Sequence, residues 1–170
     1  MKLFQSLDRT ESLKRMIPGL FDMSCLYIGA RGDRIDYFRD FNKQPTVLEA
    51  WEPNVVDLNS KGIVAIHEDV RKIKPTTFWG WEVVFWWHGP EHIKKKALKK
   101  TLRKLERIAS KAVVLGCPWR YFEQPAIGDN PYEEHLSHLD YEDFEELGYE
   151  VECLGYIDQR GSNITAVKYV

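Results

Sequence analysis

The sequence has few cysteines, no long apolar run and almost no net charge. Its three cysteines, Cys25, Cys117 and Cys153, lie singly in apolar segments, which predicts buried thiols in a reducing compartment and not a disulfide framework. No stretch approaches the ~20 apolar residues of a membrane-spanning helix, and the N-terminus lacks the apolar core of a signal peptide. We therefore expect a cytoplasmic protein with no membrane partner.

The charge distribution gives no reason to expect a nucleic-acid partner. The formal net charge is −2 at pH 7, whereas nucleic-acid-binding domains are usually strongly basic. Basic residues concentrate in 94–111 and acidic residues in 133–152. We interpret both segments as solvated helix faces, with docking of an anionic partner as the alternative, because the basic segment lacks interleaved aromatic side chains that stack on bases.

Hydrophobic patterning divides the chain into a helical lead-in over residues 1–24 and one α/β domain over residues 25–170. Short apolar runs predict strands, and amphipathic segments between them predict helices. The predicted strands are 25–28, 46–51, 63–66, 81–87, 112–115, 149–157 and 164–170. The predicted helices are 33–41, 54–60, 93–109 and 141–147.

Successive strand–helix units predict a parallel sheet with helices on both faces. The last two strands are joined by a short turn and must be antiparallel to each other. The predicted fold is a Rossmann-like three-layer sandwich with a mostly parallel seven-stranded sheet and an antiparallel C-terminal strand. Ligands of such sheets bind beyond the carboxyl ends of the strands, near the switch in strand order.

Glycines and acids follow the first three predicted strands. Gly29 and Gly32 come after the first strand, where glycine permits positive φ and close approach of backbone to a ligand. Glu49 lies on the second strand, twenty residues past Gly29, a spacing at which a carboxylate can accept from both hydroxyls of a ribose. Asp69 follows the third strand and can accept from an exocyclic amine. Together these residues predict an adenosine site.

The chain resembles class I S-adenosylmethionine-dependent methyltransferases over nearly its full length. The resembling segments are CLYIGARG, TVLEAWEPN, IHEDVRKI, WEVVFWWHGPEHI, KAVVLGCPW and the reversed C-terminal strand pair. The resemblance implies that S-adenosylmethionine is the cofactor and that the chain transfers a methyl group to an acceptor. The implied cofactor-binding residues are Gly29, Ala30, Arg31 and Gly32 at the methionine part, Glu49 at the ribose, Asp69 and Val70 at the adenine, and Trp87.

The first motif departs from the family pattern of one acidic residue followed by three glycines at alternate positions. The corresponding residues are Tyr27, Gly29, Arg31 and Asp33, so one glycine is in register. Arg31 is a candidate partner for the methionine carboxylate. The departure motivates an alternative, a non-catalytic methyltransferase-like module that binds a nucleoside.

Methyl transfer is an in-line displacement, in which positioning does much of the work and a base takes the proton of the acceptor. The catalytic candidates are His88 and His135 as bases, with Glu91 orienting one of them. No resident metal ion is expected, and a small-molecule acceptor is favoured because no appended recognition domain is evident. The candidate walls of the acceptor pocket are Trp86, Trp87, Trp119, Tyr121 and Phe122.

A second alternative comes from His88-Gly89-Pro90-Glu91-His92, which matches the H-x-x-E-H pattern of a class of zinc metalloproteases. A zinc hydrolase of this type needs both histidines on one face of a regular helix. Gly89 and Pro90 make such a helix doubtful. A nicotinamide enzyme is disfavoured because the Gly-x-Gly-x-x-Gly fingerprint is absent.

Overall fold

The structure of the chain is a computed structural model that describes residues 1–38, 40–120, 122–157 and 160–170. Eight β-strands and four α-helices lie within these ranges. The strands are β1 (Lys2–Phe4), β2 (Cys25–Ile28), β3 (Thr46–Glu49), β4 (Ala65–His67), β5 (Trp81–Trp87), β6 (Ala109–Pro118), β7 (Glu150–Leu154) and β8 (Asn163–Tyr169). The helices are α1 (Arg9–Met16), α2 (Glu52–Ser60), α3 (Lys95–Glu106) and α4 (Tyr141–Glu145).

All eight strands belong to one sheet, in the order β1-β7-β8-β6-β5-β2-β3-β4. Strand β8 pairs antiparallel with both β6 and β7, and the other neighbouring strands pair in parallel. From β2 the chain adds β3 and β4 on one side of β2, and it then crosses over so that β5 pairs with the other side of β2. The strand order therefore switches between β2 and β5, which is the edge where a ligand crevice forms in such sheets. This topology confirms the predicted mostly parallel sheet with an antiparallel C-terminal strand.

Apolar side chains cover both faces of the sheet. On β2, Leu26 and Ile28 pack in one core cluster and Cys25 and Tyr27 pack in the other. Alternate residues point to opposite faces of a strand, so a central strand between two helical layers has to be apolar throughout. The first cluster includes residues of α3 and α4, and the second includes residues of α1 and α2. The sheet is the middle of three layers.

The N-terminal segment differs from the predicted helical lead-in. Residues Lys2–Phe4 form an edge strand that pairs in parallel with β7, so the sheet has eight strands and not seven. A helix begins only at Arg9, where the Asp8 side chain accepts a hydrogen bond from the amide of Glu11 and caps the helix. A three-residue strand is too short to show the alternating pattern by which strands are recognised.

Several other boundaries shift in the loops around the sheet. The predicted helix over 33–41 is replaced by 3-10 turns over Gly32–Phe38, with a kink at Arg34. Strand β6 extends through Pro118, beyond the predicted end at residue 115. The basic side of α3 is exposed while Leu98, Leu102 and Leu105 are buried, as the solvated-face interpretation expects.

The three cysteines are free and buried, which confirms the predicted thiols. Among the described residues, no helix has the length and apolar character needed to cross a membrane.

Candidate functional site

A cavity of about 690 Å³ opens at the carboxyl ends of the strands beside the β2–β5 switch. This volume lies within the range of roughly 300–1,000 Å³ that holds drug-sized ligands. The cavity is lined by the loops after β2, β3, β4 and β5, by the segment between β6 and α4, and by residues 160–163 at the start of β8. Ten of the eleven predicted site residues line it: Gly29, Ala30, Arg31, Glu49, Asp69, Val70, Trp87, His88, Glu91 and His135.

Gly29 makes the bend that leads from β2 into the cavity. Its φ is +72°, and a Cβ atom at this position would meet nothing within 4 Å. Its amide donates to the carbonyl of Leu48 at 2.8 Å, which anchors the bend to β3. The left-handed backbone is the conformation that glycine adopts without penalty. The bend therefore leaves open space for a ligand to approach the backbone.

Glu49 is as buried as Asp69, the other acid predicted to bind the cofactor, and each is 6% exposed. Its Oε2 accepts from the amide of Ala30 at 3.0 Å, and its Oε1 accepts from the amide of Trp51 at 2.8 Å. Burial raises the pKa of the Glu49 carboxyl, and the two backbone hydrogen bonds oppose that increase. A carboxylate oxygen can accept a second hydrogen bond, so Glu49 can still receive ligand hydroxyls from the cavity.

Asp69 is held by Arg71, a contact that the sequence analysis missed. The Arg71 guanidinium donates to both carboxylate oxygens at 2.6 to 3.0 Å, and the Arg71 amide donates to Oδ1 at 2.8 Å. Burial raises the pKa of Asp69, but the hydrogen bonds from Arg71 outweigh it and hold that pKa below its usual value. The predicted acceptor for an exocyclic amine thus already has a cationic partner. Val70 beside it is buried and lines the cavity.

Arg31 and Gly32 make contacts that the sequence did not predict. The Arg31 guanidinium forms two hydrogen bonds with the Asp33 carboxylate, at 2.8 and 3.0 Å. Gly32 does not line the cavity, because it packs against α2; a Cβ there would lie 1.7 Å from a carboxylate oxygen of Asp57. The close approach of α2 therefore explains why glycine occupies position 32.

The aromatic side chains divide between the cavity and the core. Trp86, Trp87 and Phe122 line the cavity. Trp119 was predicted as a wall but lies in the core, where its indole N–H donates to the Asp140 carboxylate at 2.9 Å. Tyr121 lies outside the described residues.

The three catalytic candidates meet on the β5 side of the cavity. Glu91 is 2% exposed, and its Oε1 lies 3.5 Å from Nδ1 of His88 and 4.0 Å from Nε2 of His135. The His88 side chain is 42% exposed, and its φ of +51° is unusual for a residue with a side chain. His135 is anchored by a hydrogen bond of 2.6 Å between Nδ1 and the carbonyl of Phe122. Burial lowers the pKa of His135.

His92 joins this group, although it was not among the predicted catalytic residues. Its Nε2 lies 4.0 Å from Oε1 of Glu91, and the centres of the His92 and His135 rings are 4.8 Å apart. The segment Pro90–His92 is a single 3-10 turn after Gly89. The regular helix that the H-x-x-E-H alternative requires is therefore not formed.

Solved structures with the same fold are known with a nucleoside bound. The N-terminal domain of EvdMO1, crystallised with SAH and D-fucose, superposes with a TM-score of 0.65 at 17% identity, over 98% of this chain and 83% of that one. Magnesium protoporphyrin IX methyltransferase (ChlM) from Synechocystis PCC 6803, with bound SAH, gives 0.66 at 9% identity, over 96% and 81%. The DhpI–SAM–HEP complex gives 0.68 at 11% identity, over 94% and 84%.

No family model and no curated protein sequence matches the chain. At these identities the likeness concerns the architecture of the sheet and its helices. The chain has the Rossmann-like fold of class I S-adenosylmethionine-dependent methyltransferases.

Proposed function

We propose that this chain is an S-adenosylmethionine-dependent methyltransferase that acts on a small-molecule acceptor. One observation carries the proposal: the Gly29 bend, the Glu49 carboxylate and the Asp69-Val70 segment line a single cavity at the switch point of the sheet. The fold is that of proteins crystallised with SAH or SAM. The buried free thiols are consistent with action in the cytoplasm.

The residues present fit the cofactor at its nucleoside end. Glu49 has its carboxylate fixed by two backbone amides and would accept from the ribose hydroxyls. The open space beside Gly29 would admit the cofactor next to the backbone, and Val70 would offer an apolar surface to the adenine. Asp69 would meet the adenine with Arg71 already bound to it. The cofactor would supply a methyl group on a cationic sulfur, the electrophile of the reaction.

The histidines would serve the acceptor. His88 is exposed to the cavity, and Glu91 at 3.5 Å can orient its ring. His135 is fixed through Nδ1, so Nε2 is the ring nitrogen that could act on the acceptor. Either imidazole offers a ring nitrogen that could take the proton of the acceptor during methyl transfer. Trp86 and Phe122 also line the cavity, and their rings would offer apolar surface to the acceptor.

Calorimetry with S-adenosylhomocysteine tests the proposal on the chelator-treated chain. We expect one molecule bound per chain with micromolar affinity, and loss of that binding in Glu49→Ala. The matched control is Glu52→Ala, an exposed glutamate three residues later on α2, which should bind as the wild type does. A folded wild-type chain that binds no S-adenosylhomocysteine would overturn the proposal.

A further inference from the structure

A buried carboxylate without a hydrogen-bond donor lies beside the acceptor region of the cavity. Glu91 is 2% exposed, and among the residues that the structure describes neither of its carboxylate oxygens has a hydrogen-bond partner. Burial of a carboxylate is strongly unfavourable unless a donor or a cation compensates the charge. The nearest group is the exposed His88 ring, whose Nδ1 lies 3.5 Å from Oε1, and two buried imidazoles face the same oxygen at 4.0 Å.

The two nearest buried imidazoles present lone pairs and not N–H groups. Nδ1 of His135 lies 2.6 Å from the carbonyl oxygen of Phe122, and Nδ1 of His92 lies 3.1 Å from that of Glu134. A carbonyl only accepts, so each Nδ1 must carry the hydrogen, and in a neutral imidazole Nε2 then carries the lone pair. Both Nε2 atoms face Oε1 of Glu91. Oε1 of Glu91 and the two Nε2 atoms can therefore all offer an electron pair to one shared ion.

The distances between Oε1 of Glu91 and the two Nε2 atoms suit a shared metal ion better than direct hydrogen bonds. Each Nε2 is 4.0 Å from Oε1, which is too long for a hydrogen bond. The three ligand atoms all lie within 4.8 Å of one another. Tetrahedral zinc with bonds of 2.0–2.1 Å holds its ligand atoms about 3.3 Å apart, so small side-chain rotations would bring these atoms into coordination distance.

The backbone holds this group in place. The amides of Leu136 and Ser137 donate to the carbonyl of Glu91 at 2.8 and 3.0 Å, and the Ser137 hydroxyl donates to the carbonyl of Ile93. These bonds fasten the loop that carries His135 to the turn that carries Glu91 and His92. Histidine ligands of metals usually donate their other ring N–H to a carbonyl or carboxylate, which fixes the tautomer; both histidines here do so.

We propose that Glu91, His92 and His135 bind a divalent transition-metal ion. Imidazole with carboxylate favours ions of the zinc, cobalt, nickel and iron(II) type over calcium or magnesium. The set differs from the H-x-x-E-H pattern because the loop residue His135 takes the place of His88. This assignment departs from the sequence-based expectation of no resident metal, and it leaves His88 as the base of the proposed reaction.

Three protein ligands leave coordination positions open, as in catalytic metal sites. All three side chains line the cavity, so an acceptor that coordinates through oxygen could bind the ion there. This choice of acceptor rests on the proposed methyltransferase function, whereas binding of the ion does not.

Metal titration of the full chain after chelator treatment tests the site. We expect one Zn²⁺ per chain by calorimetry, and one Co²⁺ with visible absorption bands of a coordinated ion. His135→Asn and His92→Asn should weaken binding by about 100-fold or more, since loss of an outer-shell partner alone costs about 10–100-fold. Asparagine keeps an N–H group that can donate to the carbonyls of Phe122 and Glu134, so these variants remove the ligand atom while the anchoring bond is retained.

The matched control is His67→Asn, a change at an exposed histidine whose ring bonds to the carbonyl of Ala50; it should bind metal as the wild type does. A wild-type chain that binds no stoichiometric zinc or cobalt, or His135→Asn with unchanged affinity, would overturn the site. S-adenosylhomocysteine titrated into the same metal-free sample separates the two proposals, because cofactor binding without metal binding contradicts only this one.

Discussion

The carboxylate of Glu49 accepts a hydrogen bond from the backbone amide of Ala30 at 3.0 Å. This bond joins the end of β3 to the bend after β2, so the two parts of the sequence that predict an adenosine site are in direct contact. The contact lies at the cavity.

Replacement of the Glu49 carboxylate should weaken cofactor binding. We expect Glu49→Gln to lower the affinity for S-adenosylhomocysteine at least about tenfold at pH 7.5, because hydrogen bonds to a charged group are worth about 1.5–3 kcal/mol and about 1.4 kcal/mol is tenfold. Calorimetry measures the change. Glu52→Gln is the control, and equal losses in both variants would show that the effect does not come from the cavity.

The pKa of Glu49 gives this binding a pH dependence. Burial raises the pKa of the carboxyl, so wild-type affinity should fall as pH decreases through that raised value, and Glu49→Gln should lack this decrease. The folded chain holds the proton more readily than the unfolded chain. The contribution of Glu49 to the free energy of unfolding is therefore full below the unfolded pKa, about 4.3, and is lost as pH rises through the folded pKa. Urea unfolding across this range checks the sign.

Gly29→Ala should weaken S-adenosylhomocysteine binding, whereas its effect on the free energy of unfolding should match that of Gly62→Ala. Gly29 and Gly62 have φ values of +72° and +77°, and a Cβ at either would meet nothing within 4 Å. Left-handed backbone costs an L-residue about 1–2 kcal/mol, so Gly29→Ala and Gly62→Ala should lower the free energy of unfolding alike. Only Gly29 lines the cavity. If Gly62→Ala also weakened S-adenosylhomocysteine binding, the bend after β2 would have no special part in it.

Glu91→Gln should make the metal-free protein more stable and should remove most of the stabilisation that zinc gives. In chelator we expect the variant to be more stable by about 1–2 kcal/mol, because the amide removes an uncompensated buried charge and can donate to an imidazole lone pair. Zinc at 100 times its Kd should stabilise the wild type by about 2.7 kcal/mol and the variant hardly at all. Thermal and urea unfolding measure both effects. A variant less stable than wild type in chelator would contradict the interpretation that the Glu91 carboxylate lacks a compensating partner.

Arg71→Met should destabilise the chain near neutral pH and have little effect in acid. The Arg71 side chain is 42% exposed, so solvent screening reduces the expected loss to about 1 kcal/mol. The ion pair lowers the pKa of Asp69. Its contribution is therefore present above the unfolded pKa, about 3.9, and is lost as pH falls through the folded pKa.

Urea unfolding at pH 7 and near pH 3 checks this difference. The control is Arg103→Met on the exposed basic side of α3, which should show no such dependence on pH. A difference of the same size for Arg71→Met at both pH values would mean that Asp69 is not the partner that matters.

The sequence predicted the central strands and the strand-end residues because these depend on local signals. An apolar run such as 25–28, followed by glycine, has few interpretations other than a buried strand and a turn. The Arg71 contact with Asp69 escaped prediction since a two-residue separation does not determine how side chains turn. His135 could not be placed beside His92, because a long loop brings them together through backbone hydrogen bonds to Glu91 that no periodicity reveals.

The most direct test of the central claim is a crystal structure of the chain with S-adenosylhomocysteine. We expect the nucleoside in the cavity at the β2–β5 switch, with both ribose hydroxyls within about 2.5–3.0 Å of the Glu49 carboxylate and the adenine against Val70. A ligand bound elsewhere on the chain, or a cavity that stays empty of ligand at saturating concentration, would contradict the account.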